Sequence, residues 1–217
     1  MSDITSPTAQ QLADLHDALV IVEGWPLSQP AAEPTGLWDW IRANHRFNAL
    51  LWREEDQARR TRVSDAQIVA NKRAIDRYNQ ARNDAVERID EVLLVGLGLM
   101  EAGSAAGHAP RYRVAPDAFL NSETAGSMID RMSILALKIH ALRIHADRAD
   151  VSPASIEESR ARARQLAQQR TDLGACLDRL LADAQRGAAY FKVYRQFKMY
   201  NDRAYNPELL AERSPDV

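Results

Sequence analysis

Apolar residues recur every three or four positions along almost the whole of this chain, and strand-like alternation is nearly absent. A chain patterned this way buries its apolar faces by packing helix on helix, so the spacing predicts an all-α fold. A first, shorter helix is expected from Pro7 to Glu23, capped by Ser6, with Leu12, Leu15, Leu19 and Val22 turned inward. The Pro/Ala/Gly stretch from Pro26 to Gly36 reads as a loop. Long helices are expected from Leu37 to Arg62, from Ala66 to Met100 behind Ser64 or Asp65, and from Asn121 or Ser122 to Asp147. The last begins at Ser152-Pro153, with Ser155 and Glu158 at capping-box spacing, and runs towards Tyr200 with Gly187 as a bend. Between the second and third long helices, Gly103, Gly107 and Pro110 mark a loop with a short extended piece near Tyr112. The expected architecture is one domain over residues 1–217, a bundle of about four long helices plus the N-terminal one. Its core spans 37–207, preceded by a helix and loop over 1–36 and followed by a polar tail over 208–217.

Charge and composition exclude some partners. Lys and Arg number 28 against 30 Asp and Glu, a net charge of -2, which lacks the basic footprint of a nucleic-acid-binding protein. The polar start from Met1 to Gln11 is unlike a signal peptide, and the longest apolar run, Val92 to Met100, is too short to span a bilayer. The chain therefore reads as cytoplasmic, with no membrane insertion. One cysteine, Cys176, excludes an intrachain disulfide and a cysteine-based zinc cluster. Its neighbours Leu173, Leu177 and Leu180 predict a buried thiol.

The informative residues are polar ones on apolar faces. Projecting the Leu37–Arg62 helix at 100° per residue places His45, Asn48, Glu55, Asp56 and Arg59 on the face that carries Leu37, Trp38, Ile41, Leu51 and Trp52. In the next helix Arg82 emerges from the middle of the apolar face, and Lys72, Asp76, Asn79, Asn83, Glu87 and Asp90 flank it. The Ser122–Asp147 helix is apolar almost all round from Met128 to Ile144, which marks it as central. Asp130, Arg131 and Lys138 interrupt it, with Glu123 and Ser127 earlier on the same side. Ser133, His140, Arg143 and Asp147 share its other side, read as exposed. Buried charges are costly unless paired, so three helices presenting them inward predict one shared cluster. A purely structural network fixing helix register is the plainer reading, and a ligand or catalytic site the sharper one.

Four ordered segments carry a resemblance: "HRFNALLWREEDQARR" (His45–Arg60), "NKRAIDRYNQARNDAVERIDE" (Asn71–Glu91), "ETAGSMIDRMSILALKIHAL" (Glu123–Leu142) and "QFKMYNDRAYNP" (Gln196–Pro207). Together they resemble the bacterial family known as domain of unknown function 4254, over about Trp38 to Pro207. The resemblance implies a small helical protein encoded near glycosyltransferases of cell-surface polysaccharide, and it brings no reaction with it. The family's recurring polar positions match the inward-facing set, and they add Lys198, Asn201 and Asp202 near the carboxyl end.

Known constellations narrow the chemistry. No histidine has glutamate three residues before it, so a carboxylate-bridged di-iron bundle is excluded. Gly96-Leu97-Gly98 lacks the third glycine and the lysine of phosphate loops, and no Gly-x-Ser-x-Gly elbow occurs. Glu54-Glu55 followed by Glu87-x-x-Asp90 resembles the acidic pattern of helical nucleotide pyrophosphatases, where Glu55, Glu87 and Asp90 would hold Mg²⁺. The third glutamate of that pattern is missing, Gln57 and Ala58 standing there. A fainter resemblance to helical chorismate mutases rests on Arg82 and "ERIDEVLL", without the second arginine.

The inventory fits an anionic, hydroxyl-rich small molecule best, a sugar phosphate or nucleotide sugar. Arg59, Arg82, Arg131, Lys138 and Lys198 suit phosphate, and Asn48, Asn79, Asn83 and Glu123 suit hydroxyls. Glu55, Glu87 or Asp130 is the expected general base and His45 the acid. A different class of reading is a non-catalytic adaptor with a glycosyltransferase or a second copy as its partner.

Overall fold

The computed structural model describes residues 6–28, 33–104, 110–196, 199 and 202–211. Its order is α1 (Ala9–Val20), α2 (Leu37–Ala58), α3 (Asp65–Gly96), β1 (Phe119–Leu120), α4 (Ala125–Ala146), α5 (Pro153–Gln185), β2 (Ala189–Tyr190) and α6 (Pro207–Ala211). The architecture is an all-α bundle. Helices α2 and α3 form one hairpin and α4 and α5 another, and α4 touches α1, α2, α3 and α5. Ten of the 22 residues of α4 are buried, the structural counterpart of its nearly all-round apolar sequence. The core joins Leu12 of α1, Ile41 of α2, Ile89, Leu93 and Leu94 of α3, Ile129 and Met132 of α4 and Leu177 of α5. No helix among the described residues is long and apolar enough to cross a membrane.

The caps explain where the helix ends differ from expectation. Helix α1 starts at Ala9, because Thr8 rather than Ser6 accepts from the Gln11 N–H and closes a capping box. It ends at Val20, which leaves Val22 exposed instead of inward. Ser64 caps α3 in a capping box with Gln67. Helix α4 begins at Ala125, where Thr124 takes the Ser127 N–H, and not at Asn121 or Ser122. The largest departure is α5. It stops at Gln185, and Gly187, at φ +73°, turns the chain out of the helix into β2.

That turn has a consequence for the site. Strands β1 and β2 pair in parallel, Phe119 with Ala189 and Leu120 with Tyr190, so the chain leaving α5 runs beside the chain entering α4. The following residues then cross α3. The Tyr112 hydroxyl accepts from the Val193 N–H at 3.1 Å, Arg195 pairs with Glu87 and Glu91, and Gln196 N–H donates to Glu87 Oε1 at 3.0 Å. The extended piece near Tyr112 is present as an antiparallel bridge to Met100.

The α3–α4 crossing is tight at Gly126. A Cβ there would lie 2.6 Å from the Val86 carbonyl oxygen and 2.9 Å from Asp90 Oδ1. Gly126→Ala therefore has to force the two helices apart, and we expect a loss of about 1–3 kcal/mol in urea unfolding. An unchanged unfolding midpoint would show that the crossing relaxes freely.

Candidate functional site

The inner face of α2 carries Asn44, His45 and Asn48, all fully or nearly fully buried, against Asp130 and Ser133 one helical turn apart on α4. Asp130 Oδ1 accepts from Asn44 Nδ2 and from Asn48 Nδ2, each at 2.8 Å. Asn48 Nδ2 also donates to Ser133 Oγ at 2.9 Å, and that hydroxyl meets His45 Nδ1 at 2.7 Å. Buried polar groups persist when their partners are buried with them, and this set is nearly closed. Ser133 is the correction that matters most here. The sequence placed it on the exposed side of α4, whereas it is completely buried.

In front of this network a cleft of about 490 Å³ opens between α2, α3 and α4. Asn48, Leu51, Trp52, Glu55, Asp56 and Arg59 line it from α2, Ile75, Asn79 and Arg82 from α3, and Ile134, Leu137 and Lys138 from α4. Arg82 Nη2 donates to Asn79 Oδ1 at 2.7 Å and to Asn83 Oδ1 at 3.0 Å. Its Nη1 lies 3.9 Å from Asp130 Oδ2, an ion pair beyond hydrogen-bonding distance, and its Nε is buried without a partner. Arg59 pairs with Glu55 at 2.7 Å along α2. Lys138 makes no ion pair among the described residues and is exposed at the cleft. Trp52, 36% exposed, offers an aromatic surface there.

Seven residues of the expected inward-facing set thus share this cleft: Asn48, Glu55, Asp56, Arg59, Asn79, Arg82 and Lys138. Asp130 stands behind it, joined through Asn48 and Arg82. The others lie elsewhere. His45 is sealed inside, stacked on Trp25 at 4.8 Å and 4.5 Å from the His16 ring. Burial pushes its pKa down to about 4, opposed by the His16 backbone and Asp17. That backbone influence stops short of a hydrogen bond, because Nε2 is buried and unpaired. Outside the cleft and held neutral, His45 cannot serve there as the general acid. His16, which the sequence reading passed over, is fully buried with both ring nitrogens unpaired.

Glu87 and Asn83 line a second, smaller hollow of about 280 Å³, where they hold the chain after β2. Glu87 binds Arg195 and the Gln196 backbone, and Asn83 Nδ2 donates to Gln196 Oε1 at 2.7 Å. Glu87 is thus a strap anchor, not a base in the α2–α3–α4 cleft. Asp90 is 2% exposed and accepts from the Gly126 N–H at 2.6 Å. Burial raises its carboxyl to about 7, against the hydrogen bonds from Thr124 and Gly126. Glu55, Glu87 and Asp90 therefore do not gather, and no cluster of three metal-ligating side chains occurs among the described residues. The Mg²⁺ set expected from the pyrophosphatase-like pattern is not formed.

Glu123 and Arg131 pair with each other on the opposite side of α4, lining a groove of about 1020 Å³ against α5. They are separated from the cleft that Arg82 enters, although Lys138 touches both spaces. Cys176 lies in that groove and is exposed, contrary to the expectation of a buried thiol. Lys198 and Asn201 lie outside the described residues.

A family model described as "Protein of unknown function (DUF4254)" matches residues 38–193, well over half of the chain and nearly all of the bundle. No match was found among curated proteins or among solved structures.

Proposed function

Because this chain belongs to the DUF4254 family, whose function is unknown, we propose its activity from the cleft: it binds an anionic small molecule, a sugar phosphate or nucleotide sugar. Arg82 carries the reading. A guanidinium held in the cleft by two amide oxygens, with Asp130 at ion-pair distance and no carboxylate among the described residues in hydrogen-bonding reach, keeps N–H donors for an anion. Lys138 adds positive charge at the wall, where Arg59 is paired with Glu55, and Trp52 offers a face for a ring. Asp130, with two amide donors on one oxygen, orients Asn48 and Arg82, so its part is positioning. Glu55, which lines the cleft beside Asp56, is the base we propose should the bound molecule react. The metabolic setting we propose is the making of cell-surface polysaccharide, whose activated donors have this chemistry.

The test is a thermal-shift series with inorganic phosphate, sugar phosphates, nucleotides and nucleotide sugars, with and without Mg²⁺. At a hundred times its dissociation constant a ligand should stabilise the parent by about 2.7 kcal/mol. Arg82→Ala should abolish that gain while costing the free protein only about 1 kcal/mol, since Asp130 keeps its two amide donors. If no anion stabilises the parent and Arg82→Ala unfolds it, Arg82 is structural.

One observation favours a second reading, an adaptor for a glycosyltransferase. The α4–α5 groove has an apolar floor that includes Met128, Leu135 and Leu180, and Phe119 stands at its edge, 67% exposed. Phe119→Asp separates the readings, because it should abolish adaptor binding and leave ligand stabilisation intact.

A further inference from the structure

Resting on the anion-binding reading of the cleft, we infer that Asn48 and Asn79 are its hydroxyl-recognition residues, with fixed and opposite hydrogen-bond polarity. An asparagine amide offers one carbonyl and two N–H donors, and which end faces a ligand depends on what the other end is bound to. Both hydrogens of Asn48 Nδ2 are taken, one by Asp130 Oδ1 at 2.8 Å and one by Ser133 Oγ at 2.9 Å. Turning this amide over would set its oxygen against the Asp130 carboxylate, so the orientation is enforced. Asn79 is held the other way, its Oδ1 accepting from Arg82 Nη2 at 2.7 Å. Reversing it would point an NH₂ at a guanidinium.

Two atoms are left over, Asn48 Oδ1 and Asn79 Nδ2. Neither makes a hydrogen bond with the described residues, and neither is among the buried unpaired atoms, so each keeps some accessible surface on a residue that lines the cleft. The cleft therefore presents one fixed acceptor and one fixed amide donor beside the Arg82 guanidinium. A ligand has to donate at the first and accept at the second, and hydroxyl groups do both. Asn83 is different, because it lines the second hollow and not this cleft, with Arg82 on its oxygen and Gln196 on its amide. The geometry assigns the ligand as a phosphorylated polyol, whether its hydroxyls belong to a hexose or to the ribose of a nucleotide.

The test compares phosphates of matched ring size and charge by calorimetry on the full chain. Glucose 1-phosphate is set against cyclohexyl phosphate, and ribose 5-phosphate against tetrahydrofurfuryl phosphate. A site built for hydroxyls leaves its polar atoms unpaired when they are missing, so at least one sugar phosphate should bind about tenfold or more tighter than its hydroxyl-free partner. The pair that shows the gap tells hexose from ribose. Asn79→Leu should narrow that gap to about twofold while leaving cyclohexyl phosphate affinity within about threefold, because Arg82 keeps its bond to Asn83 Oδ1. If all four phosphates bind and neither pair differs, or the variant keeps the full gap, this assignment is overturned and the anion site stands. If none of the four binds, the anion-binding reading falls and the assignment falls with it.

Discussion

Asp90→Asn is expected to make the protein more stable than the parent by an amount that grows with pH, reaching about 4 kcal/mol above pH 7. Burial moves the Asp90 carboxyl from 3.8 to about 7, and the neighbouring Glu87 and Glu91 add to the rise. Between those two values the folded protein holds a proton that the unfolded chain has already released. Stability from this group is therefore complete below pH 3.8, lost as pH climbs through the window, and level above about 7. Asparagine keeps an oxygen for the Gly126 N–H and removes the ionisation. Urea unfolding at pH 5 and pH 8 measures the effect, and the advantage of the variant should widen between them by about 2–3 kcal/mol. A difference that stays constant with pH would mean that Asp90 ionises alike in the folded and unfolded states. The prediction isolates one carboxylate, because every other titrating group is common to both proteins.

How much of this was legible in the sequence differs by level. The four long helices follow from apolar periodicity, and their starts failed only where two hydroxyl residues competed as caps, as Ser122 and Thr124 do. The end of α5 was misplaced because the periodic pattern continues past Gly187, and only the pairing of β2 with β1 shows why the chain leaves the helix there. At the cleft, helical projection found Asn48, Glu55, Arg59, Asn79, Arg82 and Lys138, since each stands on an inward arc. Projection gives direction within a helix but not the height at which two helices meet. Glu87 and Asp90 lie one and two turns past Arg82 on α3, far enough along to face Thr124, Arg195 and Gln196 instead of α2. Ser133 and Asn44 were missed for another reason. Ser133 shares its arc of α4 with His140, Arg143 and Asp147, and that arc is exposed at Arg143 and Asp147 but buried at Ser133, where it meets His45 and Asn48 of α2. Asn44, a turn before Asn48 on α2, faces the same carboxylate as Asn48, that of Asp130. His16 was absorbed into the apolar face of α1, where its spacing is that of a core residue.

His16→Leu is expected to stabilise the protein at pH 8, and more strongly in mild acid. Both His16 nitrogens are buried without partners, and leaving such groups unmade costs about 1–3 kcal/mol, which a leucine of similar volume avoids. A gain of about 2 kcal/mol at pH 8 follows. Acid adds to it. Burial holds the His16 pKa well below 6.5, and the charges of His45 and Arg170 press it lower still. His45 is displaced in the same direction, to about 4. For a histidine kept neutral by the fold, stability is complete above the unfolded value of 6.5 and is lost as pH falls towards the folded value. By pH 5 that loss is about 2 kcal/mol for His45, and His16 loses stability in the same direction, so the advantage of His16→Leu should grow between pH 8 and pH 5. This slope runs opposite to that of Asp90, and both contribute to the parent's own profile beside His45. The double variant Asp90→Asn/His16→Leu should therefore show the two changes adding, since no hydrogen bond or ion pair joins the residues. The bonds from Ser133 to His45 and Asn48 do not involve His16, so any anion that stabilises the parent should stabilise His16→Leu equally. A variant that loses its ligand response while gaining stability would place the histidine pair in control of the cleft, contrary to the separation of the two sites.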